Sequence, residues 1–398
     1  MRQNSKTKNM QFLRITNRAT IMKYLVMNGH ASRVELSSHL GLSKMAISSI
    51  ITDLIHEGLV SENGQSEFRQ VGSGRKSNSL IALPKKINAI GVLIRRHEVH
   101  CLSIDIHGNI NSHSYQYLDE NADNDYLITT ISTLVDNIIA ENSELKYSGI
   151  GIASIGPLDI SKRTILEPPN LRQIRNLDIG DILEEQYQIP VLLDNDMNAC
   201  ALAENLYGAA KFMNNIAYIG FSNGVGAGII VDGKILHGME GFAAEVGHLS
   251  IAMDGPLCIC GRQGCVEMYT SIPNLLNNTG VDSINSLENI LNGDIVPKYV
   301  SDSFNLFLKS IESLLTSMVN IFDPEVIVIG DRALPLISPH IKDLEVNMNR
   351  LKFNHSFKNT SVVSSAHREM TPFLGSSAII FDKIFNGQID LSQESFKK

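Results

Sequence analysis

The feature that most narrows the folds open to this chain is a pattern that occurs twice. An apolar run from Asn88 to Ile94, a polar loop, a second run from Val99 to Asp105 and a turn at His107-Gly108 are paralleled by Ile216 to Phe221, a glycine loop, Gly228 to Val231 and a turn at Asp232-Gly233. Each copy reads as strand, loop, strand and tight turn. Helical spacing of apolar residues follows each copy, over 126–142 and 304–322. Two related α/β lobes with a ligand cleft between them are therefore expected. The second helical segment carries Phe304, Phe307, Leu308, Ile311, Leu314, Leu315 and Met318, a stripe for the core or for a dimer contact, with the core expected. A chain of 398 residues has room for two or three domains.

Charge separates one end from the rest. Residues 1–86 hold 13 Lys and Arg against 5 Asp and Glu, a net of +8, and the remainder carries −16. An acidic body with a basic head points to one polyanion-binding end; a merely solvated basic tail is the alternative. Met1 to Asn9 is polar, and no stretch approaches the ~18 apolar residues of a membrane span. A cytoplasmic protein with no membrane partner is expected.

The head divides into helices by their caps. Ile21, Leu25 and Val26 carry a helical pattern that breaks at Asn28-Gly29. Ser32-Arg33-Val34-Glu35 fits a capping box opening a second helix with Leu36 and Leu40 inside. Gly41 permits a sharp turn, and Ser43 caps a third helix whose inner face is Ile47, Ile51, Leu54 and Ile55. Its outer face, Lys44, Ser48, Ser49 and Thr52, is short, polar and nearly free of acid, as suits entry into a major groove, whereas an ordinary solvated face mixes Glu with its Lys. Ser61 to Ser79 is polar and glycine-rich, and reads as a β-wing presenting Arg75 and Lys76 to phosphates or a minor groove, or else as a loop whose charges aid solubility. The DNA-contacting set is Arg33, Ser43, Lys44, Ser48, Ser49, Arg75 and Lys76.

Of five cysteines, Cys101 and Cys200 stand alone, while Cys258, Cys260 and Cys265 share one short loop with Gly261 and Gly264. That is unlike a disulfide framework. With His248 ten residues upstream they complete a Cys3His tetrahedron for structural Zn2+. Adjacent thiols gain little from burial alone and much from coordination. Elsewhere, Asp194 to Asn198 follows the apolar run Val191 to Leu193, so polar groups able to bind paired hydroxyls stand at a strand's carboxyl end.

Ser222 to Ile229, Gly241 to His248 and Cys258 to Glu267 resemble the motifs of the ROK family of repressors, open reading frames and kinases. The resemblance spans about residues 15–385 and is nearest in style to the family's xylose-repressor branch, although the sugar need not follow the branch name. It implies a winged helix-turn-helix followed by a two-lobed actin/ribonuclease-H-like sugar-kinase fold: residues 1–84 as the DNA-binding domain, 85–200 as the first lobe with 375–390 returning to it, and 201–374 as the second lobe with the zinc loop. It also implies a sugar site. His248 turns one ring nitrogen to zinc and the other to a sugar hydroxyl, Glu267 and Asn195 contact sugar, and Asp196 matches the base of the related kinases. Asn170 matches a sugar-contact loop more weakly. Glu245, three residues before His248, can address the same cleft from one helical turn. Capping and turn duty remain the alternative for Asn195 and Asn170.

Two departures from the kinases of the family argue against phosphoryl transfer. Gly91 is followed by Val92, Leu93, Ile94, Arg95, Arg96, His97 and Glu98, where those kinases carry an Asp and paired glycines for the phosphates. After Val326 to Ile329 the chain reads Gly330-Asp331-Arg332-Ala333, not a run of glycines. The loop of Gly224, Gly226 and Gly228 remains, but alone it is weak evidence and can serve close packing. The expectation is a non-enzymatic, sugar-responsive repressor of carbohydrate-utilisation genes that docks on a double-stranded operator as a homodimer or higher homo-oligomer. The rivals are an ATP-dependent sugar kinase with a DNA-binding head, and a DNA-binding protein whose body has lost its sugar and works through a protein partner.

Overall fold

The computed structural model describes residues 2–63, 79–169, 171, 173–353, 356 and 358–391, with backbone alone for 2–11. Cα packing divides the chain into two compact units, one of residues 1–156, 161–194 and 376–398, the other of 157–160 and 195–375.

The first unit opens with the head. Helix α1 (Arg2–Asn28) is far longer than the apolar pattern from Ile21 alone requires, and α2 (Arg33–Leu40) and α3 (Lys44–His56) follow. The capping box forms as read: Glu35 N donates to Ser32 Oγ at 3.2 Å, and Ser32 N donates to Glu35 Oε2 at 2.7 Å. Gly41 takes φ 66° at the end of α2, a left-handed turn open to glycine without strain. Strands β1 (Val60–Asn63) and β2 (Ser79–Ala82) pair antiparallel, and Ala31 exchanges backbone hydrogen bonds with Leu80 beside them. These strands flank the expected wing, whose Arg75 and Lys76 lie outside the described residues.

The rest of this unit is a five-stranded sheet of order β5-β4-β3-β6-β9. Strands β3 (Asn88–Ile94), β4 (Glu98–Asp105) and β5 (Ile110–Tyr117) form an antiparallel meander, and β6 (Tyr147–Ser154) runs parallel to β3. Every residue of β3 and β6 is buried, as expected of central strands covered on both faces. Helix α4 (Asn124–Glu141) packs on β4 and β5. After the short β7 (Leu158–Asp159) and β8 (Thr164–Ile165) come α5 (Ile179–Tyr187) and β9 (Val191–Asn195).

The second unit repeats the plan. After α6 (Asp196–Leu206), strands β10 (Ile216–Phe221), β11 (Val225–Val231) and β12 (Lys234–Ile235) form an antiparallel meander, and β13 (Val326–Gly330) and β14 (Ser361–Ser364) add in parallel, giving the order β12-β11-β10-β13-β14. Between β12 and β13 lie α7 (Glu267–Thr270), α8 (Ile272–Thr279), α9 (Ile284–Leu291) and α10 (Lys298–Phe322). Phe304, Phe307, Ile311, Leu314, Leu315 and Met318 of α10 are buried in one core with β10, β11 and β13, so the stripe read from sequence serves the interior. Helices α11 (Leu334–Ile337) and α12 (Ile341–Leu351) follow β13. The last helix, α13 (Thr371–Phe385), begins in the second unit and from Ser376 belongs to the first. A Cβ on Gly91 or Gly151 would collide with Ser376, so these glycines let α13 lie directly against β3 and β6.

Candidate metal centre and ligand site

The cysteine loop is held by a short antiparallel ladder. Isolated bridges join Ser250 to Cys265 and Leu257 to Gln263, while Cys258 N donates to Arg262 O at 2.8 Å and Gly264 N to Pro256 O at 2.9 Å. Gly264 has φ 69°, and any Cβ there would strike Ala252 O, so the wrap demands glycine. The result brings the ligand atoms of His248, Cys258, Cys260 and Cys265 within 4.8 Å of one another.

Cys258 Sγ stands 3.6 Å from His248 Nδ1, and Cys260 Sγ 3.5 Å from Cys265 Sγ. A zinc–thiolate bond of about 2.3 Å in a tetrahedron separates two sulfurs by about 3.8 Å, so this donor set suits zinc in both type and spacing. The backbone amide of Arg262 pulls the Cys260 thiol down to about 6, whereas burial pushes Cys265 up to about 12. A cation held among these thiols would favour their ionised form. With Nδ1 turned toward the cysteines, Nε2 lies on the far side of the His248 ring.

That ring closes a 3-10 turn, Val246–His248, immediately after Glu245. The spacing of three thus places Glu245 and His248 on one turn, as expected. Ala244 just before it takes φ 66°, a left-handed conformation costing a non-glycine residue about 1 kcal/mol. Burial raises the pKa of Glu245, with His248 working against the rise and Glu267 adding to it. His248 and Glu267 are thus both near enough for their charge to act on Glu245.

Glu267 opens α7 directly behind the cysteine loop, and its Oε2 accepts from Val225 N at 3.0 Å. A Cβ on Gly224 would stand 2.8 Å from the same oxygen. Asn195 and Asp196 sit where β9 passes into α6. Asn195 is the N-cap, its Oδ1 accepting from Met197 N at 2.9 Å, and Asp196 Oδ1 accepts from the same amide at 3.0 Å. The capping duty weighed for Asn195 is thus real for its oxygen. Asn170 lies outside the described residues.

The glycine loop joins these parts. Gly220 and Gly226 are paired in register across β10 and β11, and a Cβ on either would come within 2.7 Å of the Met197 side chain; one on Gly228 would strike the Met197 carbonyl. A Cβ on Gly247, next to His248, would strike Val225 O. The loop is therefore packed with protein, α6 on one side and Glu267 with the His248 turn on the other. Sequence reasoning passed over Met197 and Gly247; the signal lay in Gly226 and Gly228, which alternate along one strand and so share a face.

The segments expected to distinguish this chain from kinases are also formed. Arg95 N donates to Glu98 O at 2.9 Å, closing the β3–β4 hairpin tightly, with Val92, Leu93 and Ile94 fully buried. Asp331 takes φ 68° at the end of β13, its Cβ 3.5 Å from the position a Gly220 Cβ would occupy. A carboxylate is therefore held beside the glycine loop.

On the head, Ser43 caps α3 by accepting from Ala46 N at 3.2 Å, and Lys44, Ser48, Ser49 and Thr52 are all exposed. Ile47, Ile50, Ile51 and Leu54 are buried on the opposite face. Arg33 is paired with Glu62 of β1, which draws its guanidinium toward the base of the wing.

Comparison with known proteins bears on all of this. The ROK family model matches residues 89–383. The xylose repressor of Bacillus subtilis (strain 168) is 27% identical over 381 residues, covering 93% of this chain and 96% of its own. Among solved structures, a ROK family transcriptional regulator described as a homologue of the Escherichia coli Mlc protein superposes with a TM-score of 0.79 at 21% identity, covering 95% of this chain and 98% of that one. The ROK hexokinase of Thermus thermophilus superposes with a TM-score of 0.65 at 25% identity over 73% of this chain and 97% of its own. The body thus shares its fold with both regulators and kinases, and the regulator's match extends over nearly the whole chain. Among the described residues no helix is long and apolar enough to cross a membrane.

Proposed function

The chain belongs to the ROK family, and on that footing we propose that it is a cytoplasmic, sugar-responsive, DNA-binding transcriptional repressor of carbohydrate-utilisation genes that holds its sugar without phosphorylating it. The observation that carries this reading is the exposed face of α3, where Lys44, Ser48, Ser49 and Thr52 stand on a rigid, capped helix beside two wing strands, in the same chain as a ROK body. Two such heads in a homodimer would read a pseudo-palindromic operator, each α3 in a major groove and each wing, with Arg75 and Lys76, on the backbone.

Functionally the chain falls into residues 1–84 for DNA, 85–200 with 375–390 as the first lobe, and 201–374 as the second lobe with the zinc loop. Asn170, Asn195, Asp196, Glu245, His248 and Glu267 are the residues assigned to the sugar. Neutral or ionised, the carboxyl groups offer paired oxygens to adjacent hydroxyls, and His248 Nε2, protonated when Nδ1 holds the metal, adds a donor. Zinc on His248 Nδ1, Cys258, Cys260 and Cys265 would supply a rigid brace that fixes the tautomer and aim of the ring. Occupancy biases the head only through a difference in sugar affinity between its DNA-bound and released arrangements.

The absence of turnover is supported by what surrounds the glycine loop: Met197 and Glu267 pack against its glycines, and Asp331 sets negative charge beside Gly220. A phosphate would meet both crowding and repulsion there. The likeness to a hexokinase keeps phosphoryl transfer as the reading to beat. Thermal melting against D-xylose, D-glucose and N-acetylglucosamine, with and without Mg-ATP, tests both. Stabilisation by one sugar, about 2.7 kcal/mol at 100 times its dissociation constant, without ATP consumption supports the repressor. Sugar phosphate in the mixture establishes the kinase, and no response to any sugar favours control by a protein partner.

A further inference from the structure

Two basic residues bond α1 to α3, and a third lies in the field of α13. Arg14 donates to Asp53 at 2.7 Å, and the buried Arg18 grips Glu57 with two bonds, at 2.8 Å to Oε1 and 2.5 Å to Oε2. A forked guanidinium–carboxylate pair fixes orientation as well as distance, so α1 and the C-terminal half of α3 form one rigid piece. Further along α1, Lys23 is half-buried, and Asp382 of α13 is the opposite charge acting on it. Beyond the end of α13, Gly387 lies against α1: a Cβ there would stand 3.3 Å from Thr16 Cα and 3.5 Å from Ile15 Cγ2.

Burial opposes both charges, lowering the pKa of Lys23 and raising that of Asp382. The charged and polar groups around Asp382 are Lys383 on its own helix, Lys23 from α1, the Asn386 amide donating to its Oδ1 at 2.8 Å, and Asp194 from β9. Removing either partner would leave the other charge buried with poorer compensation.

α13 also reaches the ligand residues by two routes. Asp194, whose charge acts on Asp382, is the residue immediately before Asn195 and Asp196. Glu204, fully buried on the helix that Asp196 begins, accepts at Oε1 from Thr371 Oγ1 at 3.1 Å, from Ser365 Oγ at 2.5 Å and from Ala366 N at 3.2 Å. Thr371 is the first residue of α13. The helix after the ligand residues is thus hydrogen-bonded to the start of α13, and the strand before them ends within electrostatic reach of Asp382.

We propose that α13 is the rod through which the ligand site sets the DNA-binding head, and that Lys23 and Asp382 are the positioning residues at its joint with α1. This rests on the sugar-repressor reading for its purpose, but the joint can be examined without sugar. Hydrogen–deuterium exchange on the full chain reads it. Asp382→Ala speeds exchange of the α1 and α3 amides by about tenfold or more while the β10–β13 amides keep wild-type rates, and Lys23→Met does the same. The reversed pair, Lys23→Asp with Asp382→Lys, restores protection, which a role in simple space-filling would not produce.

D-xylose, added to each protein, changes exchange in wild-type α3 and leaves Asp382→Ala unaltered although it still raises that variant's melting temperature. Wild-type exchange rates in the head of both single variants, or a reversed pair no better protected than they are, overturns the joint. A wild-type protein that ignores D-xylose in both melting and exchange counts against xylose as the sugar, while the sugar-free rates still decide the joint.

Discussion

β3–β4 and β10–β11 are the same hairpin at the same position in two sheets of one strand order, but the residues that close them differ in size. In the first, buried Val92, Leu93 and Ile94 lead into a tight turn sealed from Arg95 N to Glu98 O. In the second, Gly220, Gly224, Gly226 and Gly228 strip the hairpin to backbone, and α6 and Glu267 move in against it. One topology therefore yields a plain structural corner in one unit and the hub of the proposed ligand site in the other. Side-chain volume at a few loop positions, not strand order, decides which half carries chemistry.

Removing the brace from the second sheet should separate the two units most. Cys260→Ser is expected to strip bound zinc and to destabilise the second unit by more than about 4 kcal/mol, while the first unit melts as before; metal analysis with calorimetry reads both. Retained sugar response in a zinc-free protein would remove the metal from the mechanism. Next comes the packing of the hairpins themselves. Gly228→Ala drives a methyl into the Met197 carbonyl, which cannot rotate away, and should cost about 3 kcal/mol, against about 1 for Gly91→Ala, whose nearest obstacle is the Ser376 hydroxyl at the end of a side chain that can turn about χ1. Equal costs in urea melts would mean that the second hairpin is no more tightly filled than the first.

Glu245→Ala tests whether the second hairpin's surroundings bind at all. It should erase the ~2.7 kcal/mol stabilisation expected at 100 times the dissociation constant and leave operator binding in fluorescence anisotropy unaltered. The smallest effect belongs to the first sheet. Burial lowers the pKa of both His100 and His113, whose ring nitrogens lie 3.0 Å apart. The unfolded chain then binds protons that the folded one refuses, so stability is full above about pH 6.5 and falls as pH drops toward the folded pKa values. Replacing both histidines with Gln should flatten that slope in urea melts between pH 5 and pH 7.5.

What could be read from the sequence was local. The capping box at Ser32 and Glu35, the cap at Ser43, the glycines of the cysteine loop and the doubled strand pattern all depend on neighbours within a few residues, and each formed. The turn joining Glu245 to His248 followed from spacing for the same reason. Contacts across long stretches of chain were invisible: Met197 over Gly220 and Gly226, Glu204 receiving Thr371, and Lys23 beside Asp382 are set by how helices dock on sheets, which no pattern in one strand or helix specifies. Asn195 shows a subtler limit, since a strand-end amide reads equally as ligand group and as helix cap, and its oxygen is used as the cap.

The central claim is that sugar occupancy of this ROK body is converted into a change at the DNA-binding head and not into product. Anisotropy of a labelled operator duplex, selected from random sequence by the full chain and titrated with D-xylose, D-glucose and N-acetylglucosamine in the absence of nucleotide, tests it most directly. The account predicts that one sugar shifts the operator dissociation constant by about tenfold, within the usual range of coupling between sites. An operator affinity that no sugar moves, or that moves only when Mg-ATP is present and sugar phosphate accumulates, would contradict it.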